Sequence, residues 1–347
     1  MKFIRPALFL CCIFFVLVSS AQHKQPLAKT MLWRISGKGL KQPSYLFGTL
    51  HLKDRRIFHF TDSLYAAIEK TDGFALELDP DAMSGELIRS FMSKDTSGFV
   101  KDEVDKETYE RIKQKLEKRF GSRLDKLTRR QLFLSRNDWM NEITKQDDMP
   151  GFMDVYLYHI ARQQGKWTGG IEDIEDQMGL IASEMKGNRF NDLFPDLKLL
   201  KLSLNEMVET YLAGDIEKIY QYAAGLDDQQ RNELLVKRNQ KMAFRIDSLL
   251  QLRSGFFAVG AAHLAGDTGL ISLLLKRGYK LDPVFSNNKL KPEEYIIKTK
   301  KDYWKTFFAA DSSYKVSYPS GTGTFYMAEQ LVKMEMCMDL PSSTFYI

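Results

Sequence analysis

Cysteine is almost absent from this 347-residue chain, which contains three. Cys11 and Cys12 lie in an apolar stretch near the amino terminus, so Cys337 is the one cysteine beyond that stretch. A single thiol cannot form an intrachain disulfide, even in an oxidising compartment. We therefore expect an ordinary hydrophobic core to stabilise the fold, and a composition of 44% apolar residues can supply one.

A strong excess of charge of either sign is also lacking. The chain carries 50 Lys and Arg against 45 Asp and Glu, a formal net charge of +5. This balance does not favour nucleic acid or an anionic membrane as a partner. Long apolar runs are scarce too, because after the amino-terminal stretch none is long and apolar enough to cross a membrane.

The amino terminus has the three parts of a secretory leader. Lys2 and Arg5 precede an apolar run over residues 7–18, and small residues suited to cleavage follow at 19–21. The run is shorter than the roughly 20 residues of a membrane span. The pattern predicts a signal peptide over residues 1–21. Its cleavage would leave no stable membrane anchor and would place the mature chain in the periplasm or outside the cell.

Several common catalytic motifs are missing as well. The sequence contains no Gly-x-Ser-x-Gly, Cys-x-x-Cys, His-Glu-x-x-His or Walker-type loop, which argues against serine-hydrolase, thioredoxin, zincin and nucleotide-binding chemistry. What the chain has instead is a pattern that occurs twice, an apolar run that ends in Gly-x-x-His. The copies end in Gly48-Thr49-Leu50-His51 and in Gly260-Ala261-Ala262-His263.

Each copy indicates a short strand, a glycine that lets the backbone turn sharply, and an imidazole just past the carboxyl end of the strand. A helix and another strand follow both copies in the same order. We interpret the copies as duplicated halves of one α/β domain with a central mixed sheet. Right-handed crossovers would bring both histidines to one sheet edge, where open α/β sheets bind ligands.

The halves are separated by a long segment with a different pattern. From residue 81 to about residue 253, the spacing of apolar residues predicts a large helical insertion, including an amphipathic helix interrupted near Gly121. A short predicted strand near Trp167 divides the insertion. We therefore place the main domain at residues 30–285 and interpret residues 286–347 as a small appendage of unknown role.

Two histidines and one carboxylate are the candidates for metal-dependent hydrolysis, which needs such ligands and an open position for water. They are His51, His263 and Glu77. Glu77 lies in the predicted strand Phe74–Leu78, where a carboxylate is costly to bury unless it is paired or bound. Taken singly, each residue also has an ordinary structural explanation, and the repeated context is what favours a shared site.

Three further residues are candidates of second rank. Glu172 follows two glycines at a strand end and could bind a metal or act as a general base. Arg238 and Asn239 lie on a helix that leads toward the second histidine. There a guanidinium could stabilise an oxyanion or hold a carboxylate.

Several separate motifs, kept in order over roughly residues 30–285, resemble the TraB/PrgY/GumN family, which includes the TIKI proteases. The motifs are Leu32-Trp33-Arg34-Ile35, Leu46 to His51, Leu76-Glu77-Leu78-Asp79, Gly170-Ile171-Glu172 with Gln177, Arg238-Asn239 with Met242, and Phe257 to Leu264 with Gly266. The resemblance implies an α/β domain of the superfamily of TIKI, erythromycin-esterase and haem-binding ChaN proteins.

The resemblance also implies a metal-dependent hydrolase, most simply a peptidase. The substrate of such a hydrolase would be a peptide or a small molecule. Carried over by position, His51, His263 and Glu77 would bind a divalent ion such as manganese, cobalt or zinc, with Arg238 and Asn239 in support. Two alternatives stay open. One is a non-catalytic protein that binds haem, a metal ion or a peptide, and the other is a metal-free esterase with His51 as base and Glu77 to orient it.

Overall fold

The computed structural model describes most of the chain after the amino-terminal segment. The described residues are 26–92, 98–120, 125–132, 149–176, 197–224, 231–300, 304–309, 311–319, 322–327, 332–339 and 344–346. The predicted signal peptide, Gly121 and Gln177 lie outside them. Within these ranges, no helix is long and apolar enough to cross a membrane.

A six-stranded mixed sheet forms the centre of the molecule. Its strands are β1 (Leu32–Gly37), β2 (Ser44–Thr49), β4 (Gly73–Leu76), β5 (Trp167–Gly170), β6 (Gly255–Gly260) and β7 (Tyr279–Pro283). Their order across the sheet is β5-β4-β6-β2-β1-β7. Strands β5, β4, β6 and β2 are parallel, whereas β1 is antiparallel to both of its neighbours. The predicted α/β architecture with a central mixed sheet is confirmed.

The two Gly-x-x-His strands, β2 and β6, are direct neighbours in this sheet and run in parallel. The strands that follow them are placed differently. Strand β4 lies on the other side of β6, whereas β7 lies at the far edge beyond β1. The duplicated origin of the halves therefore stays a prediction. Both histidines nevertheless follow the carboxyl ends of adjacent parallel strands, at one edge of the sheet.

Residues of the predicted insertion are mostly helical where the structure describes them. The helices before β6 are α1 (Asp62–Lys70), α2 (Pro80–Met92), α3 (Val100–Glu103), α4 (Lys106–Phe120), α5 (Met153–Gln163), α6 (Leu197–Leu212), α7 (Ile216–Ala224) and α8 (Lys237–Leu250). A π-helical turn, Asn232–Val236, leads into α8, and α9 (Leu270–Lys276) joins β6 to β7.

The main core surrounds the sheet, and the inner strands of the sheet are buried along their length. All four residues of β4 and the first five of β6 are buried, which is typical of parallel strands covered by helices on both faces. A second, smaller apolar cluster contains Ile112 and Leu116 of α4. Both are buried, as expected for the apolar face of the amphipathic helix that the sequence predicts in this segment.

The carboxy-terminal segment packs against the main domain. Strand β8 (Lys289–Leu290) pairs with β3 (Phe60–Thr61), and the ring of Tyr295 stacks on Tyr65 with centroids 3.8 Å apart. Further strands form a hairpin and a three-stranded sheet, and they are β9 (Lys305–Phe308), β10 (Lys315–Tyr318), β11 (Thr322–Met327), β12 (Val332–Asp339) and β13 (Thr344–Tyr346). Strands β11 and β12 lie against α2.

Candidate functional site

His51, His263 and Glu77 meet around Gly260 at the carboxyl ends of the parallel strands. Thr49, at the end of β2, is in register with Gly260, at the end of β6. A Cβ atom built on Gly260 would lie 3.2 Å from Glu77 Oε1, 3.5 Å from His263 Cδ2 and 3.8 Å from His51 Nε2. The structure therefore brings the three side chains to one point.

His51 is anchored through Nδ1. This nitrogen lies 2.6 Å from Asp154 Oδ2, and Thr49 Oγ1 donates to Asp154 Oδ1 over 2.5 Å. An ionised carboxylate only accepts, so Nδ1 carries the hydrogen and Nε2 points toward Gly260. The negative charge of Asp154 raises the pKa of His51 to about 9 and outweighs the partial desolvation of the ring, which favours the neutral form. The imidazole lies at the mouth of the site, with 60% of its side chain exposed.

His263 is anchored in the same way by a neutral partner. Its Nδ1 lies 2.6 Å from Asn239 Oδ1, while Asn239 Nδ2 donates to the Thr268 carbonyl over 2.9 Å. Only the amide nitrogen can donate to that carbonyl, so Oδ1 must accept from His263 Nδ1. The lone pair is therefore on Nε2. Burial lowers the pKa of His263, whose side chain is only 6% exposed.

Glu77 lies between the imidazoles and Arg238. Strand β4 ends at Leu76, so Glu77 stands one residue past it rather than within the longer strand predicted from the sequence. Its Oε1 accepts from the Gly260 N–H over 2.6 Å, and its Oε2 accepts from Arg238 Nη2 over 2.7 Å. Burial alone would raise the pKa of Glu77, but His263, His51 and Arg238 together lower it to about 2. Glu77 is therefore an anion at neutral pH.

Arg238 connects two carboxylates. Its Nε and Nη2 donate to the two oxygens of Glu172, each over 2.8 Å, and Nη2 also donates to Glu77. The Glu172 N–H donates to the Glu77 carbonyl over 2.8 Å, which ties the end of β5 to the end of β4. Because the guanidinium binds both carboxylates, its main contacts here are with the protein itself.

The donor types at this site suit a divalent ion. Metal-binding histidines usually donate their second ring N–H to a carboxylate or carbonyl oxygen, and Asp154 and Asn239 provide such oxygens. The three side chains surround Gly260 without forming a coordination shell. His263 Nε2 is 3.6 Å from Glu77 Oε1, and no three His, Cys, Asp or Glu side chains in the described part of the chain are arranged to hold a metal ion.

A family model matches residues 31–283, which include every residue of this site. The chain belongs to the TraB/PrgY/gumN family. This confirms the resemblance carried by the sequence motifs. The matched segment ends with β7, so the strands from β8 onward lie beyond the part shared with the family model.

Relatives of this TraB/PrgY/gumN chain include named metalloproteases. It is 24% identical to Metalloprotease TIKI2 of Danio rerio over 349 residues, which cover 81% of this chain and 65% of the relative. It is 25% identical to Metalloprotease TIKI1 of Xenopus tropicalis, with 74% and 62% covered, and 24% identical to Metalloprotease TIKI1 of Homo sapiens, with 73% and 61% covered. The chain thus spans less than two thirds of these relatives. No solved structure matches it.

Asp154 and Thr49 are contacts of this TraB/PrgY/gumN site that the sequence does not predict as site residues. Asp154 lies in an apolar stretch, Phe152-Met153-Asp154-Val155-Tyr156, and is buried. Asp154 meets the same criterion as Glu77, because a carboxylate in an apolar segment needs a partner. That signal could have found Asp154, although it could not have named His51 as the partner.

Proposed function

We propose that this chain is an exported metal-dependent hydrolase that cleaves peptides. The convergence of His51, His263 and Glu77 around Gly260, with each imidazole anchored at Nδ1, is the observation that carries the proposal. The names of the TIKI relatives favour the same chemistry. The predicted leader supports a substrate that is present outside the cytoplasm.

The proposed ligands are Nε2 of His51, Nε2 of His263 and a carboxylate oxygen of Glu77. Because the pKa of His51 is about 9, its Nε2 would have to release a proton to bind an ion at neutral pH. When bound, a divalent ion such as manganese, cobalt or zinc supplies Lewis acidity to an attacking water and to the scissile carbonyl. Arg238 keeps Glu77 ionised and oriented. Glu172 uses both oxygens to hold Arg238, so we assign it to that task rather than to proton transfer.

Metal content and peptide hydrolysis of the purified chain test this proposal directly. We expect His51→Ala and His263→Ala each to lose bound metal and activity against a mixed peptide library. His59→Ala provides a matched control, because His59 is exposed and lies outside the site. Metal binding and hydrolysis that survive in both site variants would contradict the proposal.

A metal-free esterase is the second candidate, and the His51–Asp154 pair favours it. A carboxylate-anchored imidazole at the mouth of a site is an arrangement that general bases use, and with a pKa of about 9 His51 would act as that base mainly in alkaline solution. If the chain is a metal-free esterase, we expect ester hydrolysis that is lost in His51→Ala but persists in the presence of a strong chelator.

A non-catalytic haem protein would instead show a shift of the Soret band on addition of hemin, and both histidine variants would abolish that shift.

A further inference from the structure

Asp154 has a buried carboxylate whose two oxygens contact the same strand end. Oδ2 accepts from His51 and Oδ1 accepts from Thr49, two residues earlier in the chain. A buried carboxylate is costly unless such partners satisfy it. Asp154 also lies in the first turn of α5, where the helix dipole favours a negative charge. The carboxylate of Asp154 is therefore stabilised both by the side chains of His51 and Thr49 and by the dipole of α5.

The start of α5 is itself tied to the loop that follows His51. The Met149 N–H donates to the Lys53 carbonyl over 2.7 Å, and the Met153 N–H donates to the Leu52 carbonyl over 3.4 Å. These bonds fix the backbone that bears Asp154 against the backbone that bears His51. Helix α5 in turn packs against β4 and β5, whose ends carry Glu77 and Glu172.

His51 depends on this anchor more than His263 depends on its own. His263 is enclosed on all sides, with 6% of its side chain exposed, so packing limits its rotation. His51 is 60% exposed and has solvent on its open side. Without a partner at Nδ1, an exposed imidazole can rotate about its side-chain bonds and turn Nε2 away from Glu77.

We infer that Asp154 is a positioning residue, which holds the His51 ring with Nε2 toward Glu77 and His263, and that Thr49 orients Asp154. The inference rests on the proposed function, because the task of the oriented nitrogen is to bind the ion. Partners of this kind typically contribute 10–100-fold to metal affinity or activity. We expect Asp154→Ala to lose about that much, and Thr49→Val to lose less.

The variant Asp154→Asn tests whether the orientation of the His51 ring matters apart from the charge of residue 154 and the stability of the fold. An asparagine can present its Oδ1 to His51 as Asn239 does to His263, while the Thr49 hydroxyl accepts from Nδ2. We therefore expect Asp154→Asn to recover part of the zinc or manganese affinity and kcat that Asp154→Ala loses. Asp282→Ala is the control, because Asp282 pairs with Arg34 at the sheet edge formed by β7.

Proton NMR of the metal-free protein distinguishes the orientation of the His51 ring from a general contribution of Asp154 to stability. The Nδ1 proton of His51, assigned by its loss in His51→Ala, should be protected from water in the wild type and in Asp154→Asn. It should exchange rapidly in Asp154→Ala, although that variant keeps a cooperative unfolding transition. A protected proton in folded Asp154→Ala would overturn the inference.

Binding measurements complete the test. Zinc and manganese titrations that give equal affinities for the wild type and folded Asp154→Ala would also overturn the inference. If the wild type itself binds neither ion and hydrolyses no peptide, the proposed function fails instead. The proton-exchange result then still decides whether Asp154 holds the ring.

Discussion

At the residue scale, the site is a cluster of charges that balance one another. Arg238 binds Glu77 and Glu172, and Asp154 binds His51. Each of these groups is partly or fully withdrawn from water, so its partner offsets a desolvation cost. Removing one member leaves another charge unpaired, which costs more than the intact pair contributes. The same contacts that shape the site therefore also constrain its stability.

Arg238→Met tests this coupling. The change removes the cation that Glu77 and Glu172 share, and loss of one partner from a buried pair typically destabilises a protein by about 3 kcal/mol. We expect urea unfolding of Arg238→Met to show a loss of that order. Arg238→Met combined with Glu172→Gln should recover part of it, because the carboxylate charge that Arg238 offset at position 172 is then gone. Losses that simply add in the double variant would show that the two residues do not interact.

His159 should contribute to acid sensitivity. Burial lowers the pKa of His159 below 6.5, the charge of Arg162 lowers it further, and Asp339 opposes them. Between the folded pKa and 6.5 the unfolded chain binds more protons, so stability falls as pH falls through this window and is flat below it. We expect His159→Gln to lose less unfolding free energy between pH 7.5 and 5.5 than the wild type does. His59→Gln, at an exposed position, should behave like the wild type.

At the scale of elements, the glycines of the two Gly-x-x-His motifs serve close approach rather than a turn. Neither Gly48 nor Gly260 has a positive φ, so neither position needs glycine for a left-handed backbone conformation. Gly48 instead lies against the segment after β6, where an added Cβ would be 2.7 Å from Leu264 Cδ1 and 3.1 Å from Ala261 Cβ. A side chain there would push away the segment that carries His263.

Gly48→Ala should therefore displace His263 of the second motif, although the substituted glycine belongs to the first motif. Overpacking of this kind costs about 1–3 kcal/mol, and the displaced segment includes His263. We expect lower stability together with weaker zinc binding, measured by urea unfolding and titration. Gly151→Ala is a suitable control, because an added Cβ at Gly151 meets nothing within 4 Å. Unchanged zinc affinity in Gly48→Ala would contradict this account of the motif.

The sequence could predict His51, His263 and Glu77 because each follows an apolar run, and parallel strands place such positions at one edge. It could not predict that Arg238 binds both Glu77 and Glu172, because that contact depends on how α8 crosses the sheet. It could not place β7 beside β1 either, since the order of strands follows from long-range packing. Local patterns thus predicted the candidate residues, whereas their partners depend on tertiary structure.

At the scale of the whole molecule, a buried ion pair joins the carboxy-terminal strands to the elements of the site. Arg162 of α5 donates to Asp339 of β12 over 2.6 Å, and both side chains are buried. Arg162 also lies 3.7 Å from Asp81, near the start of α2, and the Tyr158 hydroxyl donates to Asp81 over 2.9 Å. Helix α5 carries Asp154, and α2 begins at Pro80, separated from Glu77 by two residues. The cluster therefore connects strands beyond the family match to both sides of the site.

Asp339→Ala tests whether these strands fold together with the site. The variant leaves Arg162 buried without its closest carboxylate, so we expect a loss of about 3 kcal/mol. If the chain unfolds as one unit, calorimetry should show the single transition of the wild type shifted to a lower temperature, with zinc binding lost in the same transition. Asp311→Ala, at an exposed turn, should leave the transition in place. A separate early transition that leaves zinc binding unchanged would show that the carboxy-terminal strands fold independently of the site.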